Sequence, residues 1–165
     1  MILYHFTRPE RLDSIMREGL RADRADPKNT PFHVDVRVVW LTTKLSLAMP
    51  LADRETLLMR HGCLIPPGSS NLPNATVRLR MVIPTRDRRL APCVPWLRRR
   101  GIENEFVSAR DYWIYEGDVA PERLTVDGHV PRGEPWLEFP EIRDAIRDGK
   151  IVTIDPEVRA KYLSE

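Results

Sequence analysis

The segment MILYHFT (residues 1–7) is followed at once by RPERLDSIMREGL (residues 8–20). Within the first segment, residues 2–6 form a short apolar run typical of a β-strand. In the second, apolar residues recur three and four positions apart, as they do on one face of a helix. Thr7 and Glu10 have the spacing of a capping box, and Gly19 is a typical helix stop. These residues therefore predict a strand, a helix capped by Thr7 and a turn at Gly19.

Further apolar runs predict more strands, with irregular, proline-rich connections and few long helices between them. Residues 76–83 alternate between apolar and polar side chains, which is typical of a half-exposed strand. Weak helical periodicity occurs in residues 46–60, with a break near Pro50, and in residues 136–148. This mixture predicts an α+β fold with a mixed or antiparallel sheet, split in two, and short helices at its side. The other predicted strands are residues 34–43, 112–115 and 151–154.

The composition is that of an ordinary globular protein, with 42% apolar and 30% charged residues. A length of 165 residues favours one domain over residues 1–165, with a core that needs no covalent staples. No apolar run approaches the roughly 20 residues that cross a bilayer. Residues 1–4 lead straight into His5, without the basic and apolar pattern of a signal peptide. We therefore expect a cytoplasmic protein with no membrane partner.

Several common kinds of site are excluded by the absence of their motifs. The chain has no P-loop, no GxGxxG, no GxSxG and no HExxH, which argues against the corresponding nucleotide-triphosphate, dehydrogenase, hydrolase and metalloprotease sites. Cys63 and Cys93 are isolated thiols, and the four histidines are scattered along the chain. We therefore expect neither a disulfide nor a metal centre. With these motif-based sites excluded, we expect a functional site that is assembled from residues on separate strands.

Polar and aromatic residues at the ends of two predicted strands are candidates for such a site. His5 and Thr7 lie at the exit of the first strand, where an imidazole and a hydroxyl are suited to a ribose or a carbonyl group. Trp40 and Thr42 end another strand, and the Trp40 ring is suited to stacking on a flat ligand ring. The structural alternatives are a histidine bonded to a backbone carbonyl and a tryptophan in the core. Both alternatives stay open at this stage.

Charged residues on two other strands extend the set of candidates. The segment RDYWIYE (residues 110–116) is an aromatic strand with Asp111 and Glu116 at its ends, and either acid is suited to stabilising a cationic transition state. Arg80, with Arg78 as a substitute, is suited to a pyrophosphate. The alternative is that all four are charges on exposed strand faces.

The order of these segments along the chain resembles that of a known family. LYHFT (residues 3–7), the apolar helix positions that follow and GL (residues 19–20) resemble the opening of small ADP-ribosyltransferase-like proteins, which include the DarT toxins and the RNA 2′-phosphotransferases. VVWLT (residues 38–42) is similar to their second, aromatic strand. Residues 112–124 are similar to their late strand and its exit. The resemblance covers roughly the first 45 residues and residues 76–125.

The resemblance implies a split sheet of the ADP-ribosyltransferase type that binds NAD as a substrate. It implies that His5 holds the ribose and that Trp40 stacks on nicotinamide, in place of the usual tyrosine. An acid on the late strand then stabilises the transition state. The chain departs from the family here, because Tyr112 or Trp113 occupies the expected glutamate position. The implied catalytic residues are His5, Asp111 and Glu116, and the implied cofactor contacts are His5, Thr7, Trp40, Thr42 and Arg80.

The leading hypothesis is therefore an enzyme that transfers ADP-ribose from NAD to a macromolecule. A second is a binding module on the same fold that recognises a nucleotide, a nucleic acid or a protein without catalysis. A third is an enzyme similar to the RNA 2′-phosphotransferases, which needs several arginines in one cleft. The arginine-rich residues 86–100 are expected either to contact a nucleic-acid or protein target or to be a solvated surface. The toxin-like resemblance also implies an antitoxin partner.

Overall fold

The computed structural model describes residues 1–24, 37–64, 66, 74–103, 107–133, 137–150 and 153–163. The chain forms two compact units, which we describe separately. The single domain over residues 1–165 stays a prediction. The first unit comprises Met1–Leu45, Asn74–Asn104 and Ala109–Pro131, and the second comprises Ser46–Pro73, Glu105–Ser108 and Arg132–Glu165.

The described residues contain nine strands and five α-helices. The strands are β1 (Ile2–Thr7), β2 (Asp23–Arg24), β3 (Arg37–Thr42), β4 (Cys63–Leu64), β5 (Val77–Val82), β6 (Leu90–Pro92), β7 (Tyr112–Glu116), β8 (Leu124–His129) and β9 (Leu137–Glu138). The helices are α1 (Leu12–Glu18), α2 (Leu51–His61), α3 (Cys93–Arg99), α4 (Pro140–Arg147) and α5 (Pro156–Tyr162). None of these helices is long and apolar enough to cross a membrane.

Seven of the strands form one sheet in the first unit. Its path is β6-β7-β3-β1-β5-β8, and β2 pairs with the beginning of β3. Every pairing in the sheet is antiparallel. The α+β class and the antiparallel sheet predicted from the sequence are therefore confirmed.

The ladder between β1 and β3 is interrupted. β1 pairs with β5 along its whole length, but it pairs with β3 only where Tyr4 lies opposite Thr42. Beyond that pair, residues 5–7 of β1 and residues 38–41 of β3 are not paired with each other. We call this stretch the β1–β3 gap. It lies in the middle of the sheet, where a continuous ladder would otherwise join the two strands.

The two faces of the sheet differ in what covers them. Residues directly opposite each other in an antiparallel pair have their side chains on the same face. The face that carries Leu3, Leu41 and Leu79 forms the main core, to which α1 contributes Ile15. We call it the core face. The opposite face carries Ile114 and Glu116 on β7, and α3 packs there with the buried Trp96.

Helix α1 follows β1 as predicted, but its beginning differs from the prediction. A 3₁₀ turn over Pro9–Arg11 precedes it, the residue before that turn is Arg8, and no side chain caps it. The predicted capping box of Thr7 and Glu10 is therefore wrong, because β1 continues through Thr7. The predicted stop at Gly19 is confirmed, since its N–H donates to the Ile15 carbonyl at 2.8 Å.

The second unit is built around a small apolar cluster of its own. Leu58 of α2, Leu64 of β4 and Leu163 after α5 are buried together. Pro50 immediately precedes α2, in agreement with the predicted break, and α4 lies within the predicted helical stretch 136–148. The predicted strand 151–154 is not found at residues 153–154, and residues 151–152 lie outside the described residues.

Candidate functional site

The β1–β3 gap is bridged by the side chain of His5. Its Nδ1 lies 3.0 Å from the backbone oxygen of Trp40, in a stretch where no backbone donor of β1 pairs with β3. A carbonyl oxygen only accepts, so Nδ1 carries the hydrogen and Nε2 keeps its lone pair. One structural alternative considered from the sequence was a histidine bonded to a backbone carbonyl. The structure contains this bond at Nδ1.

Nε2 of His5 makes no hydrogen bond with any residue that the structure describes. The His5 side chain is half-buried and lies on the core face of the sheet. Burial lowers the pKa of His5 below its ordinary 6.5, and the bond to Trp40 partly offsets that effect. At neutral pH the ring is uncharged, and Nε2 is an acceptor without a partner among the described residues.

The register divides the candidate residues between the two faces of the sheet. His5 and Thr7 lie opposite Leu79 and Val77, and therefore on the core face. Trp40 lies on the opposite face, because its neighbours Val39 and Leu41 belong to the main core. The structure thus brings His5 to the backbone of Trp40 and places the Trp40 ring on the other side of the sheet.

Thr42 has a structural function in this arrangement. Its side chain is buried, and its hydroxyl donates to the backbone oxygen of Asp111 at 3.0 Å and accepts from the Lys44 N–H at 3.1 Å. These bonds hold the beginning of β7 against the end of β3. The Asp111 carboxylate is half-exposed, and its ion-pair partner is the exposed Lys44 at 3.7 Å. Asp111 lies near the end of the gap where β1 and β3 pair.

The Glu116 carboxylate is occupied by contacts within the first unit. Its Oε1 accepts from Trp96 Nε1 at 2.7 Å and from Arg100 Nη2 at 2.8 Å. The Arg100 guanidinium also lies 3.8 Å from the centre of the Trp96 ring. Glu116 lies opposite Val38, on the face away from His5. The carboxylate therefore joins α3 to β7, and the structure does not bring it together with His5.

The two strand arginines lie on the face opposite His5, because Arg80 pairs with Tyr4 rather than with a core-face residue. Arg78 is bound to Asp127 at 2.8 Å and to the Leu45 backbone oxygen at 2.9 Å. Arg80 is half-buried and makes no hydrogen bond or ion pair with the described residues. Arg80 therefore retains free donors, but it does not share a face with His5.

Two structural clusters were missed by sequence reasoning. The loop after β7 holds the exit of α1, because Leu20 and Val119 exchange backbone hydrogen bonds at 2.9 Å and Asp118 accepts from the Ala22 N–H at 2.7 Å. Asp87 accepts from the backbone N–H and guanidinium of Arg89 and from the Tyr115 hydroxyl. The Arg89 backbone bond is the main cause that lowers the pKa of Asp87. Neither cluster has a local sequence motif.

Comparisons of the chain with models of known families, with curated proteins and with solved structures found no match. A functional proposal for this chain therefore rests on the residues described above. Of the candidates, His5 combines a fixed tautomer, a neutral ring and an acceptor nitrogen that has no partner among the described residues, on a strand next to the β1–β3 gap.

Proposed function

We propose that the first unit binds a nucleotide of the NAD type at the β1–β3 gap, with His5 Nε2 accepting a hydrogen bond from a ribose hydroxyl. The observation that carries the proposal is the bond from His5 Nδ1 to Trp40, which orients the ring and leaves Nε2 as an acceptor. Depression of the pKa keeps that nitrogen unprotonated at neutral pH. A hydroxyl donor suits such a nitrogen better than a phosphate does, because a phosphate needs a donor.

Transfer of ADP-ribose is the activity that this binding would serve. The bond between ribose C1 and the nicotinamide nitrogen breaks, and its electron pair leaves with nicotinamide. A nucleophile of the target forms the new bond to C1 and gives up its proton. Asp111 is the better candidate for the stabilising acid, since its half-exposed carboxylate has one ion-pair partner, whereas Glu116 Oε1 accepts two hydrogen bonds.

Binding without transfer is the second candidate, and the sheet register favours it. The Trp40 ring, Arg80 and Glu116 lie on the face away from His5, so the residues assigned to stacking, pyrophosphate and catalysis do not converge on it. The phosphotransferase alternative is less well supported. Arg78 is held by Asp127, and β1 and β3 separate the strand that carries it from β7, where α3 and its arginines pack.

The test of binding uses His5→Asn, because the asparagine amide replaces Nδ1 as a donor to Trp40 but supplies nothing in place of Nε2. Loss of one ligand hydrogen bond worth about 0.5–1.5 kcal/mol predicts about 2- to 12-fold weaker NAD binding in calorimetry, with an unchanged melting temperature. His129→Asn, on the exposed end of β8, is the matched control and should bind NAD like the wild type. Equal affinity in His5→Asn and the wild type would overturn the proposed contact.

The test of transfer is nicotinamide release from NAD, followed by mass spectrometry with DNA, RNA or cell lysate as the acceptor. If transfer occurs through Asp111, Asp111→Asn should abolish release, and Glu116→Gln should retain it. Binding of NAD without release under any of these conditions would support the binding module. Release that survives Asp111→Asn and is lost in Glu116→Gln would reverse the assignment of the acid.

A further inference from the structure

Two arginine-containing segments that are separate along the chain both contact Glu116, at the end of β7. The turn before β6 contains Arg86, Arg88 and Arg89; α3 ends with Arg98 and Arg99, and Arg100 follows it. We call these six residues the arginine corner. Glu116 joins the two groups, because its backbone N–H donates to the Arg89 oxygen at 2.9 Å and its carboxylate binds Arg100 at 2.8 Å.

Four members of the arginine corner have no carboxylate to neutralise them. Arg86, Arg88, Arg98 and Arg99 are exposed, and they make no ion pair with any described residue. Residues 84–103 contain six arginines, no lysine and two acids, an excess of four positive charges in a chain with a net charge of only +2. The positive charge of the first unit is therefore concentrated here.

Two acids, Asp87 and Glu116, contact members of the arginine corner. Asp87 lies 3.4 Å from Arg89 and 3.6 Å from Arg123, and Glu116 is held by Arg100 and Trp96. Asp87 and Glu116 are therefore already paired with arginines, whereas Arg86, Arg88, Arg98 and Arg99 are exposed. Several exposed guanidinium groups without acidic partners are suited to a partner that carries many evenly spaced anionic oxygens.

We propose that the arginine corner binds the phosphate backbone of a nucleic-acid strand. Guanidinium groups bind phosphate through paired N–H donors, and a strand presents a phosphate at every nucleotide. The two aromatic rings next to the arginine corner are buried and are not available for base stacking. Arg100 covers Trp96, and Arg89 covers Tyr115. Binding is therefore expected to depend on salt and to show little preference among base sequences. The proposal is independent of NAD binding, because none of these residues borders the β1–β3 gap.

The experiment measures fluorescence anisotropy of a labelled single strand of about 20 nucleotides as the salt concentration is raised. Four phosphate contacts predict a slope of about −2.8 for log K against log salt, or about a 50-fold loss of affinity between 50 and 200 mM salt. Arg98→Ala/Arg99→Ala should reduce the slope to about −1.4, with about a 7-fold loss over the same range. Arg86→Ala/Arg88→Ala should have the same effect, and Arg98→Lys/Arg99→Lys should retain the wild-type slope.

Arg147→Ala/Lys150→Ala is the matched control, because it removes the same charge from exposed residues that are paired with acids on α4 and just after it. It should leave both the affinity and the slope unchanged. The proposal is overturned if the wild type does not bind the strand at 50 mM salt, if the two alanine pairs bind like the wild type, or if the control loses as much affinity. Equal or tighter binding of a poly-glutamate peptide would assign the corner to an acidic protein partner and would also overturn it.

Discussion

Glu116 is predicted to be a structural acid, and replacing it should lower the stability of the first unit without affecting a nucleotide at the β1–β3 gap. Its Oε1 accepts from the Trp96 indole N–H at 2.7 Å and from Arg100 at 2.8 Å. Trp96 is only 1% exposed, so its N–H depends on this acceptor. Glu116→Ala removes the acceptor, whereas Glu116→Gln keeps a carbonyl oxygen in its place.

The expected magnitude follows from these two contacts. A buried N–H without an acceptor costs about 1–3 kcal/mol. The Arg100 ion pair contributes about 0–1 kcal/mol, because the side chains of Arg100 and Glu116 are 30% and 40% exposed. Glu116→Ala should therefore lower the free energy of unfolding by about 1–4 kcal/mol, and Glu116→Gln by about 1 kcal/mol or less.

The assay is urea unfolding followed by far-UV circular dichroism, in the wild type and in a Trp96→Phe background. Phenylalanine removes the donor, so Glu116→Ala should cost about 1 kcal/mol or less there, and the coupling energy of the double-mutant cycle should be about 1–3 kcal/mol. Equal effects of Glu116→Ala in the two backgrounds would refute the reasoning. Loss of NAD binding in a fully stable Glu116→Gln would return this acid to the functional site.

Three further predictions concern the backbone and a titrating group. Gly19→Ala should lower the free energy of unfolding by about 2–4 kcal/mol in urea titrations, because the new Cβ would lie 2.2 Å from the Val119 oxygen in a backbone region that glycine almost alone adopts. Gly117→Ala, at nearly the same φ with open space around its Cβ, should cost only about 1–2 kcal/mol, and equal losses would contradict the clash. Asp53→Ala should cost about 3–5 kcal/mol, since its fully buried carboxylate accepts two backbone N–H bonds at 2.6 and 2.8 Å in the second unit; an unchanged unfolding midpoint would contradict this. The contribution of His5 to the free energy of unfolding should be present above about pH 6.5 and lost as the pH falls below it. The reason is that the imidazole of the unfolded chain has the higher pKa and therefore binds a proton at a higher pH than the imidazole of the folded protein. The same pH dependence of stability in His5→Asn would contradict this prediction.

Local sequence patterns predicted the elements whose formation depends on neighbouring residues. The alternation of residues 76–83 predicted β5. The helix break near Pro50 and the helix stop at Gly19 were also found as predicted. Such patterns work because strand alternation, proline geometry and a positive φ at glycine act within a few residues. The predicted capping box was wrong because a long-range contact overrode the local pattern. The pairing of Thr7 with Val77, a partner 70 positions away, extends β1 past the predicted cap.

By itself, the sequence determined the α+β class, the presence of His5 in the first strand and the concentration of arginine in residues 84–103. Only the tertiary structure decided which candidates share a face. A shift of one position reverses the side of the sheet, so the pairing of Tyr4 with Arg80 places that arginine away from His5. The partners of Glu116 and the bond from His5 to Trp40 depend equally on long-range pairing. Long-range register sets these contacts because side chains distant in sequence meet only after the strands have paired.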